Sequence, residues 1–389
     1  MAYGVAVMSG KPRLNFQMPE ARSTKRNYGL DAVRAVAILL VLLCHGLIVE
    51  PRLTDTLFFY WTGFFGVELF FVLSGYLIGS ILFSLLEKSS PESPFRSRLP
   101  GFWIRRWFRT LPNYYFFLAV NVLLALAAAA AAGRTLALDP DFPKYLLFLQ
   151  NLFRPIGEFM GESWSLAVEE WFYITFPLFL LLITGLKLRP RRAFGLAAAG
   201  YIVLFVGLRT LVALRGQPDW DYVLRKIVAI RLDSIAYGAL MMLIMRAWPE
   251  RLRKLQHGLF WAGLLGIGLS ILIMKYGLHR PVLTANLFTL TSLGSACLLP
   301  YAVYATEQAP RSRLRTIIAG ISIISYSLYL AHMPALRLTT YFFRNAPWPV
   351  QYAVYLVLSA VAALVVYTLY ERRMTSLRDR FGRKSDAEL

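Results

Sequence analysis

The sequence predicts an all-α protein, a polytopic membrane bundle of about ten transmembrane helices with both termini in the cytoplasm. Two observations on composition lead to this prediction. Of the 389 residues, 57% are hydrophobic and only 16% are charged, against roughly 25% charged residues in soluble domains. Apolar runs long enough to cross a bilayer recur from Asp31 to Tyr370, with no polar module between them.

A helix needs about 20 predominantly apolar residues to cross the hydrocarbon core. Ten segments satisfy this length, at 31–50, 58–82, 110–132, 163–186, 193–214, 227–246, 258–276, 284–305, 316–336 and 350–370. Basic tails at 1–28 and 372–389 flank a transmembrane domain predicted over 29–371. The shorter apolar segment 144–153 is predicted to lie at the membrane surface or to re-enter the membrane.

The distribution of Lys and Arg orients the predicted bundle. With a cytoplasmic N-terminus, the inner segments hold 28 of the 42 basic residues and the outer segments hold 10. Cytoplasmic loops are enriched in Lys and Arg, so this bias predicts that both termini lie inside. The same bias explains the formal net charge of +20, so we do not expect nucleic acid as a partner.

Motifs for metal, nucleotide or disulfide chemistry do not occur in the sequence. We find no zinc-ligand spacing, glycine-rich phosphate loop or dinucleotide-binding fingerprint. This disfavours a metalloenzyme and a Walker-type ATPase. Cys44 and Cys297 both lie inside apolar runs, so we expect neither a disulfide framework nor a metal site.

The first predicted span carries two ionisable residues eleven positions apart, Arg34 and His45. Eleven residues turn a helix only about 20° past three full turns and rise about 16 Å. The two side chains therefore share one face, with Arg34 near the inner surface and His45 in the outer half. One alternative is that Arg34 snorkels to the inner interface beside Asp31. Another is that His45 is a buried histidine satisfied by a neighbour.

Four further spans carry ionisable side chains at about the predicted depth of His45. These residues are Glu68, Glu169, Glu170, Arg231, Asp233 and His332. Charges at membrane depth must face one another or water, so this coincidence predicts a shared polar cavity that opens outward. A histidine beside a carboxylate can deprotonate a hydroxyl that attacks an activated acyl group. Direct transfer is favoured over a covalent seryl intermediate.

The segment "FWIRRWFRTLPNYY" places Arg105, Arg106 and Arg109 at the start of the third span. Arg and Trp are common at the inner membrane interface, so one interpretation is an anchor to the inner leaflet. The other interpretation is a phosphate site, because guanidinium groups bind phosphate in bidentate fashion. Both interpretations stay open at this point.

Seven segments stand out in chain order: "GLDAVRAVAILLVLLCH", "FFVLSGYLIG", "RRWFRTLPNYY", "SWSLAVEEWFYITFPL", "RLDSIAYGAL", "ISYSLYLAHMP" and "YERRM". In this order, over nearly the whole chain, they resemble the acyltransferase-3 family of integral-membrane O-acyltransferases. One departure is the last segment, since the family often has proline soon after the glutamate.

The resemblance implies transfer of an acyl group, commonly acetyl, from cytoplasmic acyl-coenzyme A to a hydroxyl of a carbohydrate or other acceptor. It implies that His45 is the catalytic histidine, that Arg34 is its paired arginine, and that Glu169 or Glu170 is the functional carboxylate. We expect a stand-alone member without an added esterase-like domain, in the bacterial inner membrane among its lipids. No permanently bound cofactor is expected.

The leading hypothesis is therefore an O-acyltransferase with an inner donor site and an outer acceptor site. In this hypothesis two sets of residues bind the substrates. The coenzyme phosphates are held by Arg34, Arg105, Arg106 and Arg109, and the acceptor cavity is lined by Glu68, Arg231, Asp233 and His332.

Two alternatives remain. The same chemistry can act on a small secreted metabolite such as a macrolide. The chain can instead be a secondary transporter, in which intramembrane charges bind protons or substrate. Transporters usually have two related halves with paired broken helices, and the sequence contains no such repeat.

Overall fold

The structure, a computed structural model, describes residues 27–50, 52, 56–135, 140–216, 218–306 and 312–376. Every regular element in these ranges is a helix, which confirms the predicted fold class. The ten long helices, labelled α1 to α10, are Tyr28–Gly46, Leu57–Glu87, Phe95–Ala131, Trp164–Thr184, Pro190–Gly216, Asp233–Ala247, Pro249–Tyr276, Pro281–Ala305, Arg313–Phe342 and Trp348–Val366. Most of both predicted tails lies outside the described residues.

Among the described residues, nine helices are long and apolar enough to cross a bilayer, and the protein is a multi-pass membrane protein. Helix α6 accounts for the difference between these nine helices and the ten spans predicted from the sequence. It begins at Asp233 rather than at 227, follows a 3-10 turn at Val228–Ile230, and is about 22 Å long. Eleven of its fifteen residues are buried. Because α6 is enclosed by α2, α5 and α8 rather than by lipid, its length is not set by bilayer thickness.

Two glycines allow α2 and α6 to touch backbone to backbone. A methyl group added at Gly75 would lie 1.7 Å from the carbonyl oxygen of Ile235, and one added at Gly238 would lie 1.9 Å from that of Val72. Small residues at crossings let membrane helices approach closely. The start of α6 is therefore held directly against the middle of α2.

Helix α3 begins at Phe95, well before the predicted start of the third span at 110. Its 37 residues extend about 55 Å, whereas the hydrocarbon core is about 30 Å thick. Arg105, Arg106 and Arg109 consequently lie within the helix rather than ahead of it. The residues from 110 onward are enough to cross the core, which leaves the arginines near its boundary.

The predicted interfacial segment 144–153 is mostly irregular. Only Phe142–Leu146 is helical. The backbone carbonyls of Asn151 and Leu152 accept hydrogen bonds from the N–H groups of Val228 and Ala229, at 3.0 and 3.1 Å. The segment therefore packs against the turn that leads into α6.

Helices α5, α6 and α8 are joined by a fully buried guanidinium–carboxylate pair. Arg209 donates to both carboxylate oxygens of Asp233, at 2.6 and 2.8 Å. It also donates to the Ala285 carbonyl at 2.8 Å and to the Thr289 hydroxyl at 3.0 Å. The arginine thus has its donors satisfied where no water competes.

A second buried pair continues this cluster into α2. Arg231 donates to Glu68 and to the hydroxyl of Ser234. The other carboxylate oxygen of Glu68 accepts a hydrogen bond from Ser292 at 2.8 Å. Arg231 also lies 4.0 Å from Asp233. The two arginines and two carboxylates, called here the ion cluster, are therefore neutral as a group.

We expect a large loss of stability when one member of the ion cluster is removed. The substitution Asp233→Ala leaves Arg209 buried without its carboxylate, and we expect it to lower the free energy of unfolding by about 3–5 kcal/mol. Thermal unfolding in detergent measures this loss. The control is Asp141→Ala, which removes an exposed pair with Lys144 and should change stability by about 0–1 kcal/mol. Equal shifts for both variants would contradict this role of the cluster.

Candidate active site

A cavity of about 320 Å³ lies between α1, α2, α3, α4 and α9. All four arginines predicted to bind phosphate line it, namely Arg34, Arg105, Arg106 and Arg109. Glu169 is the one carboxylate among its lining residues. Four guanidinium groups against one carboxylate make the cavity electropositive, so it favours an anionic ligand.

The arginines reach the cavity from two sides. Arg105 and Arg109 are four residues apart on α3 and therefore share a face, with Arg106 about 100° away. Arg34 approaches from α1, where it donates to Ser322 at 3.2 Å and lies 3.8 Å from Asp31. The cations thus line the space from α1 and from α3.

Glu169 is held on the cavity wall by three donors. One of its oxygens accepts a hydrogen bond from Ser74 at 2.9 Å, and the other accepts one from Tyr173 at 2.7 Å. Arg106 lies 3.4 Å from the second oxygen and donates to the Tyr173 hydroxyl at 2.5 Å. Glu169 is therefore the counter-ion of Arg106.

Glu170, the next residue, points away from the cavity. It is buried, and among the residues that the structure describes its Oε2 atom has no hydrogen-bond partner. Within the described ranges neither Glu169 nor Glu170 hydrogen-bonds to His45. The structure therefore separates the two residues by environment, with Glu169 in the cavity and Glu170 in the helix packing.

His45, at the end of α1, and His332 form a pair of tilted rings whose centroids are 4.8 Å apart. The Nδ1 atoms lie 3.0 and 2.6 Å from the backbone carbonyls of Val41 and Tyr329. A carbonyl can only accept, so both Nδ1 atoms carry hydrogen and both Nε2 atoms of the neutral rings keep a lone pair. The Nε2 of His332 is buried without a partner among the described residues, whereas His45 is partly exposed.

Tyr329 separates the histidine pair from the cavity. It lines the cavity together with Ser165, and its ring centroid lies 5.5 Å from that of His332. Its hydroxyl donates to the Glu162 carbonyl at 2.9 Å, so it accepts from Ser165 at 2.6 Å. The sequence analysis missed Tyr329 and Ser165. The spacing of Tyr329, three residues before His332 on one helix face, is the signal that identifies it.

The residues predicted for an acceptor cavity lie in two places. The structure brings His332 to His45, but it places Glu68, Arg231 and Asp233 in the closed ion cluster. None of these three lines the cavity. The described part of the chain contains no group of three or more His, Cys, Asp or Glu side chains that could hold a metal ion.

The acyltransferase domain, a known protein family, matches this chain over residues 27–368. A peptidoglycan O-acetyltransferase of Listeria monocytogenes is 28% identical over 330 residues, which cover 80% of this chain and 49% of that protein. A putative peptidoglycan O-acetyltransferase of Bacillus subtilis is 29% identical over 329 residues, again 80% and 49%.

A putative O-acetyltransferase of Staphylococcus aureus is 28% identical over 236 residues, covering 57% of this chain and 35% of that protein. The chain spans about half the length or less of these curated relatives. No solved structure matches it. Since the family match includes all ten long helices and the whole cavity, the chain belongs to the acyltransferase-3 family of membrane acyltransferases.

Proposed function

We propose that this protein transfers an acetyl group from cytoplasmic acetyl-coenzyme A to a hydroxyl of a cell-envelope carbohydrate on the outer side of the membrane. The observation that carries the proposal is the convergence of four arginines on one cavity whose far end adjoins a histidine pair. Relatives named as peptidoglycan O-acetyltransferases support an acetyl group and a carbohydrate acceptor.

The cavity suits an elongated donor with a phosphorylated end. The guanidinium groups of Arg105, Arg106 and Arg109 match phosphate in geometry and charge. They lie near the boundary of the hydrocarbon core, where a polar coenzyme can reach them without crossing lipid. Apolar side chains of α2, such as Phe70 and Ile78, line the rest of the space and suit the coenzyme's uncharged arm.

The donor would lie along α1 with its thioester at the Tyr329 end. Arg34 and His45 are about 16 Å apart along that helix. A donor held by its phosphates at the arginines therefore points its reactive end toward Tyr329 and the histidine pair. His45 is the partly exposed member of the pair, so it is the one that an acceptor hydroxyl can approach.

In the proposed reaction the Nε2 atom of His45 takes the proton of the acceptor hydroxyl as its oxygen attacks the thioester carbonyl. The new C–O bond forms, the C–S bond breaks, and the proton passes from His45 to the leaving thiolate. The products are the acetyl ester and free coenzyme A. The Nδ1–H bond to Val41 supports this role because it keeps the Nε2 lone pair available.

Direct transfer is favoured over an acyl-serine intermediate. Ser165 is a serine on the cavity wall near the histidine pair, but its hydroxyl hydrogen is directed to Tyr329. No hydrogen bond joins it to a histidine among the residues described. An activated serine nucleophile needs such a base.

The first test concerns His45. We expect His45→Ala to lower the transfer rate by about 10²–10⁴-fold, because the acceptor hydroxyl loses its base. The assay measures coenzyme A thiol release and acetylation of peptidoglycan fragments by the protein in proteoliposomes. The control is His279→Ala, an exposed histidine outside the site, which should keep wild-type activity. A folded His45→Ala protein with full activity would contradict the mechanism.

The same assay separates the alternative functions. Accumulation of substrate inside vesicles without thioester loss would contradict acyl transfer and favour a secondary transporter. A parallel assay with a macrolide in place of the peptidoglycan fragments tests the acceptor class. Acetylation of the macrolide alone would overturn the proposed carbohydrate acceptor while leaving the donor chemistry intact.

The second test concerns the donor site. We expect Arg109→Gln to raise the KM for acetyl-coenzyme A by about 10–100-fold, since a charge-assisted hydrogen bond contributes about 1.5–3 kcal/mol. The kcat at saturating donor should change much less. Arg134→Gln, at an exposed position three residues after the end of α3, is the matched control. A KM unchanged by Arg109→Gln would show that this arginine does not bind the donor.

A further inference from the structure

The segment "YERRM" has no role in the proposed reaction, yet its glutamate is bonded to two helices of the donor cavity. We propose that Glu371 is a positioning residue whose carboxylate holds α3 so that the α3 arginines face the donor's phosphates. The inference rests on the proposed function, because it assigns a role to Glu371 in binding the same coenzyme.

Glu371 reaches the cavity helices from a distorted part of α10. This helix continues into a π-helical segment, Tyr367–Glu371. A π turn holds one residue more than an α turn, and such turns are often found at functional sites. The extra residue rotates the side chains that follow relative to a regular helix, which aims Glu371 at α3 and α9.

A single carboxylate oxygen of Glu371 joins the three helices. It accepts hydrogen bonds from Asn113 of α3 at 2.8 Å and from Ser327 of α9 at 2.5 Å. The amide nitrogen of Asn113 also donates to Ser327 at 3.1 Å. Asn113 and Ser327 are both buried, so these bonds form away from competing water and hold the helices at one relative position.

Helix α3 needs this support because of Pro112. A proline inside a helix lacks the N–H that would bond to the carbonyl four residues earlier, and its ring displaces that carbonyl. Two carbonyls close to the proline accept side-chain hydrogen bonds from outside α3. Tyr326 donates to Thr110 at 2.9 Å, and Tyr370 donates to Pro112 at 3.4 Å.

Pro112, where α3 lacks a backbone hydrogen bond, lies just after the part of α3 that carries the three arginines. Arg109 precedes the proline by three residues, and Asn113 follows it. A change in the α3 bend at this point would swing the helix portion that carries the arginines. The contacts of Glu371 with Asn113 therefore determine where the cations stand relative to α1 and α4.

Glu371 acts through other residues rather than on the donor. It does not line the cavity, and a carboxylate would repel phosphate. Its carboxylate lies near enough to Arg109 for an electrostatic interaction, but the link to α3 is made by hydrogen bonds. The hydrogen bonds need only an oxygen acceptor, so Glu371→Gln keeps them, while Glu371→Ala removes them.

The test measures the dissociation constant of coenzyme A for the purified full-length protein in detergent. We expect Glu371→Ala and Asn113→Ala each to weaken binding about 10-fold, the loss of one hydrogen bond to a charged group. The double variant should bind no more weakly than either single variant, because both remove the same link. Glu371→Gln should bind within about 3-fold of wild type.

Kinetics with acetyl-coenzyme A separate positioning from general damage. Glu371→Ala should raise the KM for the donor while kcat stays within about 3-fold, as expected when only binding is lost. The matched control is Glu87→Ala, which removes a partly exposed carboxylate at the end of α2 that pairs with Arg246. This control should leave both constants unchanged.

Three outcomes would overturn the inference. The first is wild-type affinity in Glu371→Ala. The second is an affinity of Glu371→Gln as weak as that of Glu371→Ala, since charge and not the hydrogen-bonded link would then matter. The third is additive loss in the double variant. If Glu371→Ala does not fold, Asn113→Ala and Glu371→Gln still decide the question. Failure of the wild-type protein to bind coenzyme A is a distinct result, which contradicts the proposed function itself.

Discussion

The free-energy cost of an unpaired charge inside a bilayer is the constraint on which the rest of the structure depends. It explains why Glu68 and Asp233 are found with Arg231 and Arg209 in a neutral, fully buried cluster. The cluster joins α2, α5, α6 and α8 without help from water. The cationic cavity is the contrasting case, since four arginines and a single carboxylate, Glu169, are among the residues that line it.

That contrast assigns different roles to the charges of the ion cluster and to those of the cavity. The ion cluster is closed and holds helices together, so its polar groups are satisfied within the protein. The cavity, by contrast, is open space lined by four guanidinium groups, which favour a phosphorylated ligand. Between the cavity and the partly exposed His45 lie Tyr329 and His332. In the proposed reaction the donor thioester and the acceptor hydroxyl meet at the histidine pair, next to Tyr329.

Much of this organisation follows from the sequence, because helical periodicity and hydropathy are local properties. The shared face of Arg34 and His45 and the grouping of the α3 arginines could be predicted in this way. The depth of a residue in the membrane, however, does not determine which neighbouring helix its side chain meets. The placement of Glu68 in the cluster depends on which way each helix face turns, and the close α2–α6 crossing at Gly75 is not visible in local sequence. The segment predicted as a span at 227–246 is instead the shorter, buried α6, because its enclosure by protein cannot be read from an apolar run.

A structure of the protein with bound coenzyme A tests the central claim most directly. The account predicts phosphates in contact with Arg105, Arg106 and Arg109, and the thiol sulfur at the Tyr329 end of the cavity next to the histidine pair. A coenzyme bound outside this cavity, or one with its sulfur at the arginines and its phosphates toward Tyr329, would contradict the account.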